Sequence, residues 1–88
     1  MALKGYSEAL KLQESSLPAD HPDIARTLHN LAVVQMHRDR VLEAKEYLER
    51  AEATAGRTLP VEHPLISLLN RTKVAWAEKT RDYTFSRF

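Results

Sequence analysis

The feature that most constrains the fold is a repeat with a period of 42 residues. Its clearest marks are two His-Pro pairs, His21-Pro22 and His63-Pro64, which stand 42 positions apart. The same offset aligns five identical pairs: Ala2 with Ala44, Ala9 with Ala51, Leu17 with Leu59, Pro18 with Pro60 and Ile24 with Ile66. Self-similarity at such a period is typical of proteins in which neighbouring helical units stack, because no single unit can bury its own apolar face.

Each copy of the repeat contains a helix stop followed by a helix start. Pro18 and Pro60 predict helix ends, because proline disfavours helical backbone angles in the residue before it. Pro22 and Pro64 suit the first turn of a new helix, where the missing N–H is not needed. Between these loops, apolar residues recur at helical spacings of three and four. We therefore predict four helices, at about residues 2–16, 23–37, 41–58 and 64–81, and a tail at 82–88.

The helix pattern predicts an all-α fold in which antiparallel helical hairpins form a short α-solenoid. We expect one domain over residues 1–81. It begins with a half repeat at 2–16, continues with a full repeat at 23–58 and ends with the helix at 64–81. The turn at 37–40 contains neither glycine nor proline.

Composition argues against several classes of function. The absence of cysteine excludes disulfides and thiolate chemistry and fits the cytoplasm, where we expect the protein. The net charge of +1 gives no general attraction to anionic membranes or nucleic acids. No apolar run reaches the ~18–20 residues that a membrane span needs. A chain of 88 residues is also too short for a large internal cavity.

No residue pattern indicates an enzyme, a cofactor or a metal site. The only glycines are Gly5 and Gly56, so there is no glycine-rich phosphate loop. His29 and His37 are eight positions apart, whereas helical metal ligands stand four apart. The glutamates between Glu43 and Glu52 alternate with basic residues, which is typical of a solvated helix face.

Residues 20–32 and 43–51 resemble a tetratricopeptide repeat. The segment His21-Pro-Asp-Ile-Ala-Arg-Thr-Leu-His-Asn-Leu-Ala32, followed by Glu43-Ala44-Lys45 and Arg50-Ala51, is similar to the 42-residue variety of kinesin light chains and nephrocystin-3-like proteins. The resemblance covers about residues 2–67. It implies that six residues pack between helices: Leu28, Leu31, Ala32, Ala44, Leu48 and Ala51.

The resemblance also implies a ligand-facing row on the second helix. Its members are Arg26, His29, Asn30, Val33, Met36 and His37, and we expect Arg71 and Lys79 at its edge. The arginines would pair with carboxylates of an acidic peptide, Asn30 would bond its backbone, and Val33 and Met36 would supply apolar contact. The function implied is that of a non-catalytic scaffold or adaptor that binds a protein or peptide partner.

The chain departs from the family pattern at several positions. Asp39 stands in place of the usual glycine, Val41 of the usual tyrosine and Glu52 of the usual leucine. In the last helix, Asn70, Lys73 and Val74 occupy two leucine positions and a small one. A different face fits that helix better, with Leu65, Leu69, Thr72, Trp76 and Tyr83. We therefore predict a terminal cap, packed on one side and solvated on the other.

Two alternative functions remain open. A solenoid of fewer than three repeats leaves its end faces exposed, so the chain could pair with a second copy as a homo-oligomer. Nucleic-acid binding by the C-terminal region is less favoured. Basic and aromatic residues alternate there, but Glu78 and Asp82 dilute the charge. The basic residues are Arg71, Lys73, Lys79, Arg81 and Arg87, and the aromatic ones are Trp76, Tyr83, Phe85 and Phe88. The tail could fold back on the last helices or dock on another copy.

Overall fold

The computed structural model describes the backbone of residues 2–85 and the side chains of residues 5–81. This part of the chain contains four α-helices and no strand: α1 (Ala2–Ser16), α2 (Pro22–His37), α3 (Val41–Thr58) and α4 (Pro64–Phe85). Helix α2 packs between α1 and α3, and α4 packs on α3 and, less extensively, on α2. The predicted all-α fold is thereby confirmed. No helix within 2–85 is both long and apolar enough to cross a bilayer.

The bounds of the first three helices agree with the prediction to within one residue, whereas the fourth is longer than predicted. Helix α4 continues to Phe85 instead of ending at 81, so residues 82–85 are helical and do not belong to a tail. The physical reason is that these four positions contain neither proline nor glycine, and nothing local stops the helix. Residues 86–88, the rest of the predicted tail, lie outside the described residues.

The two His-Pro loops share the same hydrogen bonds. The amide of His21 donates to Pro18 O and the amide of His63 donates to Pro60 O, each at 3.0 Å. The ring Nδ1 of His21 accepts from the Asp23 amide at 3.1 Å. In the second loop, His63 Nδ1 accepts from the Leu65 amide at 3.0 Å. Each histidine thus caps the helix that follows it, which explains why the repeat places histidine before proline.

The turn between α2 and α3 is a Schellman motif, which closes the C-terminus of α2. The amide of Arg40 donates to Gln35 O at 2.8 Å, and the amide of Asp39 donates to Met36 O at 3.0 Å. Asp39 has φ 62°, the left-handed conformation that this motif requires. Glycine adopts this conformation most readily, and aspartate is one of the few other residues that tolerate it. A turn without glycine or proline is therefore possible here.

The core lies between α1, α2 and α3 and extends to the packed side of α4. The six residues expected to pack between helices are all at most 3% exposed, as predicted. Leu65 and Leu69 attach α4 to this core, with 4% and 1% exposure. On the other side of α4, Asn70, Lys73 and Val74 are exposed. The two-sided character predicted for this helix is therefore present among the described side chains.

Candidate functional site

A groove of about 550 Å³ runs between α2 and α4. Five of the eight residues predicted for partner contact line it: Val33, Met36, His37, Arg71 and Lys79. Those on α2 come from its last turns, and Lys79 lies two turns after Arg71 on α4. The groove thus unites side chains from two helices that are far apart in the sequence.

Sequence reasoning missed three further lining residues, Leu68, Thr72 and Ala75. A signal for them exists, because positions 68, 72, 75 and 79 recur at intervals of three and four and therefore share one helix face. That face was not identified because the same helix carries a second apolar face, through Leu65 and Leu69, which packs into the core.

The groove combines an apolar floor with cationic edges. Val33, Met36 and Leu68 are half-buried, while His37, Arg71 and Lys79 are exposed. No carboxylate is among the described residues that line the groove. Since opposite charges attract most strongly near low-dielectric walls, such a surface favours a ligand with both apolar and negatively charged groups.

The cations of the groove differ in their pairing. Lys79 Nζ lies 2.9 Å from Asp39 Oδ1, and Asp39 keeps 67% of its side chain exposed. Arg71, by contrast, makes no ion pair with any carboxylate among the described side chains. Arg71 is consequently the cation most open to an incoming carboxylate.

His29 does not belong to the contact row, which corrects the prediction for this residue. It is only 6% exposed, and its Nε2 lies 2.8 Å from Thr72 Oγ1 on α4. Thr72 Oγ1 also lies 3.0 Å from Leu68 O, so the hydroxyl connects the His29 ring to the backbone of α4. Packing of α4 over α2 thus converts a predicted ligand-facing residue into a bridge between helices.

Burial also changes the proton affinity of His29. Desolvation lowers the pKa of His29 below its ordinary 6.5, an effect that the neighbouring Asn30 side chain partly opposes. The ring Nδ1 is buried and makes no hydrogen bond with described residues. Protonation of the ring would therefore place a charge between α2 and α4 that its surroundings compensate only in part.

The remaining predicted residues lie on α2 outside the groove. Arg26 is exposed near the start of the helix, where its Nη1 lies 3.9 Å from Asp23 Oδ1. Asn30 is half-buried one turn further on. Neither lines the groove. The predicted row is therefore divided into a C-terminal part that joins α4 and an N-terminal part that does not.

Several basic and aromatic side chains on the α3-facing side of α4 take part in contacts with α3. Trp76 Nε1 donates to Val41 O at 2.8 Å, and Lys45 Nζ lies 5.8 Å from the centre of the Trp76 ring. Lys73 Nζ lies 2.8 Å from Glu52 Oε2. These contacts leave Trp76 poorly placed to stack on a base. The side chains of Tyr83, Phe85, Arg87 and Phe88, also part of the nucleic-acid hypothesis, lie outside the described residues.

Among the described side chains, no group of three or more histidines and carboxylates lies close enough together to hold a metal ion. Among the described lining residues, the one hydroxyl beside a histidine is that of Thr72, 2.8 Å from His29 Nε2, and no described carboxylate orients that ring, whose Nδ1 makes no hydrogen bond with described residues. What its geometry offers is a surface for binding, built from apolar contact and positive charge.

Comparison with known proteins identifies the family to which these helices belong. A search of curated protein sequences finds no significant match. A family model described as tetratricopeptide repeat matches residues 1–59, a span that contains α1, α2 and α3 and leaves out α4. The narrower resemblance to the kinesin light chain and nephrocystin-3-like variety stays a prediction. Because the match covers 59 of 88 residues and agrees with the stacked helical hairpins, the chain belongs to the tetratricopeptide repeat family.

Proposed function

We propose that the chain is a non-catalytic scaffold or adaptor whose α2–α4 groove forms the concave, ligand-facing side of the repeat and holds a segment of an acidic partner. Tetratricopeptide repeats generally mediate protein–protein interactions, which supports the class of function. The observation that carries the finer proposal is the charge of the groove. Two cationic residues, Arg71 and Lys79, border an apolar floor, and no described carboxylate lines the groove.

The groove residues divide between anchoring charge and apolar contact. Arg71 presents a planar guanidinium that can bond a partner's carboxylate through two parallel hydrogen bonds. Val33, Met36 and Leu68 provide the apolar contact that such a partner would cover. A volume of about 550 Å³ lies within the range of about 300–1,000 Å³ usual for ligand pockets. A short peptide segment with one bulky apolar residue beside acidic residues suits this arrangement.

Selection from a random peptide display library tests this proposal. We expect the wild-type chain to enrich peptides rich in aspartate and glutamate with an apolar residue among them. The substitution Arg71→Gln should weaken binding of those peptides roughly ten-fold, in the range for a hydrogen bond to a charged group. The matched control is Arg57→Gln, an exposed arginine on α3 outside the groove. Enrichment of basic peptides, or equal loss in both variants, would contradict the proposal.

Self-association is a second candidate, supported by two exposed apolar residues. Leu12 and Val74 are 68% and 58% exposed. At the repeat offset they correspond to Thr54 and Ala32, which are 5% and 0% exposed. The free faces of α1 and α4 are therefore related to the packed faces of α3 and α2, so the end helices of two copies could pair in the same way.

The chemistry of α4 limits the strength of such pairing. Asn70 and Lys73 occupy the positions that correspond to buried Leu28 and Leu31, so the free face of α4 is more polar than its counterpart on α2. We expect weak, concentration-dependent association that Leu12→Glu abolishes. Sedimentation velocity at two concentrations measures this, and a monomer at both would rule it out.

A further inference from the structure

We propose that Asp39 is an internal competitor for the partner's carboxylate. In the free protein its carboxylate forms an ion pair with Lys79. When the partner's acidic segment binds, a carboxylate of that segment displaces Asp39 from Lys79. This inference rests on the proposed function of the groove, and it adds a contact that determines which partners bind.

The geometry places this contact at one end of the groove. Lys79 and His37 line the groove, and Asp39 follows His37 by two residues without lining it. The Asp39 carboxylate reaches Lys79 Nζ at 2.9 Å. Because Asp39 keeps 67% of its side chain exposed, the carboxylate can leave the lysine without opening the core. An extended acidic segment that contacts Arg71 would therefore meet an already occupied cation two turns along α4.

The backbone gives an independent reason to examine Asp39. It is the one described non-glycine residue with positive φ. Glycine would satisfy the Schellman motif at lower conformational cost, since a side chain in the left-handed region costs free energy. Among the described residues, what the aspartate carboxylate contacts in return is Lys79. An unfavourable backbone conformation beside the groove points to a role for that side chain at this surface.

The strength of the contact suits a competitor. An ion pair exposed to this degree changes an equilibrium by roughly two- to five-fold, because water and salt screen the attraction. The contact is therefore weak enough for a partner to displace, yet strong enough to lower its affinity measurably. A partner whose only carboxylate lies at Lys79 gains little affinity from it, because it must displace Asp39. A partner that also binds Arg71 gains more affinity.

Fluorescence anisotropy with a fluorescein-labelled peptide of glutamate and leucine, at low ionic strength, tests the inference. Asp39→Asn removes the charge and keeps the size and the tolerance for positive φ, so the peptide should bind about two- to five-fold more tightly. The matched control is Glu78→Gln, which removes the same charge one residue from Lys79 and should have a smaller effect. In a Lys79→Gln background, the gain from Asp39→Asn should disappear.

The outcomes separate this inference from the proposed function. If the wild-type chain binds the peptide but Asp39→Asn does not tighten binding, the inference is overturned and the groove proposal stands. It is also overturned if Glu78→Gln gives an equal gain, or if the gain persists without Lys79, since either result would reflect general electrostatics. A fall in thermal stability of Asp39→Asn without an affinity gain would assign the ion pair a purely structural role. If the wild-type chain does not bind the peptide, both proposals fail together.

Discussion

Removal of one leucine side chain from α4 should reveal whether this helix is an integral part of the fold. Leu69 is 1% exposed and belongs to the same core as Leu28 and Leu48. Leu→Ala substitutions at buried sites cost about 2–5 kcal/mol, through lost burial and the cavity left behind. At about 0.05–0.15 kcal/mol per residue, a chain of this length has roughly 4–13 kcal/mol of stability. Leu69→Ala should therefore remove a large fraction of it.

Urea denaturation followed by far-ultraviolet circular dichroism measures this effect. We expect a single transition for the wild-type chain and for Leu69→Ala, with the free energy of unfolding lower by about 3 kcal/mol in the variant. The matched control is Val74→Ala on the same helix, which is 58% exposed and should change stability by less than about 0.5 kcal/mol. A loss below about 1 kcal/mol, or a separate early transition for α4, would refute the reasoning that α4 shares one core with the repeat.

Three further predictions concern polar residues. Folding lowers the pKa of His29. The stability that the neutral ring contributes to the folded state is therefore fully present above pH 6.5, and it is lost as the pH falls from 6.5 through the lower folded-state pKa. His29→Gln should remove that part of the pH dependence in urea titrations between about pH 7 and 5. Asp39→Ala should be about 1 kcal/mol less stable than Asp39→Gly, since both lose the carboxylate but only alanine is disfavoured at φ 62°. An equal stability of these two variants would contradict this. His63→Ala should destabilise by about 0.5–2 kcal/mol through loss of the helix cap, whereas replacement of the exposed His37 by alanine should have little effect.

The helices and loops were predictable because their causes are local. Proline acts on the residue before it, and the histidine caps act on amides two residues away. The repeat added a second copy of each loop, so the same chemistry could be identified twice. The predicted end of α4 at 81 is wrong, because positions 82–85 contain neither proline nor glycine and the helix continues to Phe85.

The residues that line the groove were predictable only in part, because their positions depend on how α4 crosses α2. The family resemblance identifies the face of α2, and five of the eight predicted residues do line one groove. It does not indicate that His29 lies beneath α4, where it contacts a threonine 43 positions away. Nor does it indicate that Lys79 meets Asp39, a residue distinguished in the sequence only by standing where the family has glycine.

The sequence by itself therefore determined the helical repeat and the capped loops, since these depend on neighbours within one or two helical turns. Only the tertiary structure decided which side chains remain open to a partner. Exposure and charge pairing result from contacts between helices that are distant in the chain, and a small change in how α4 packs on α2 would alter which residues those are.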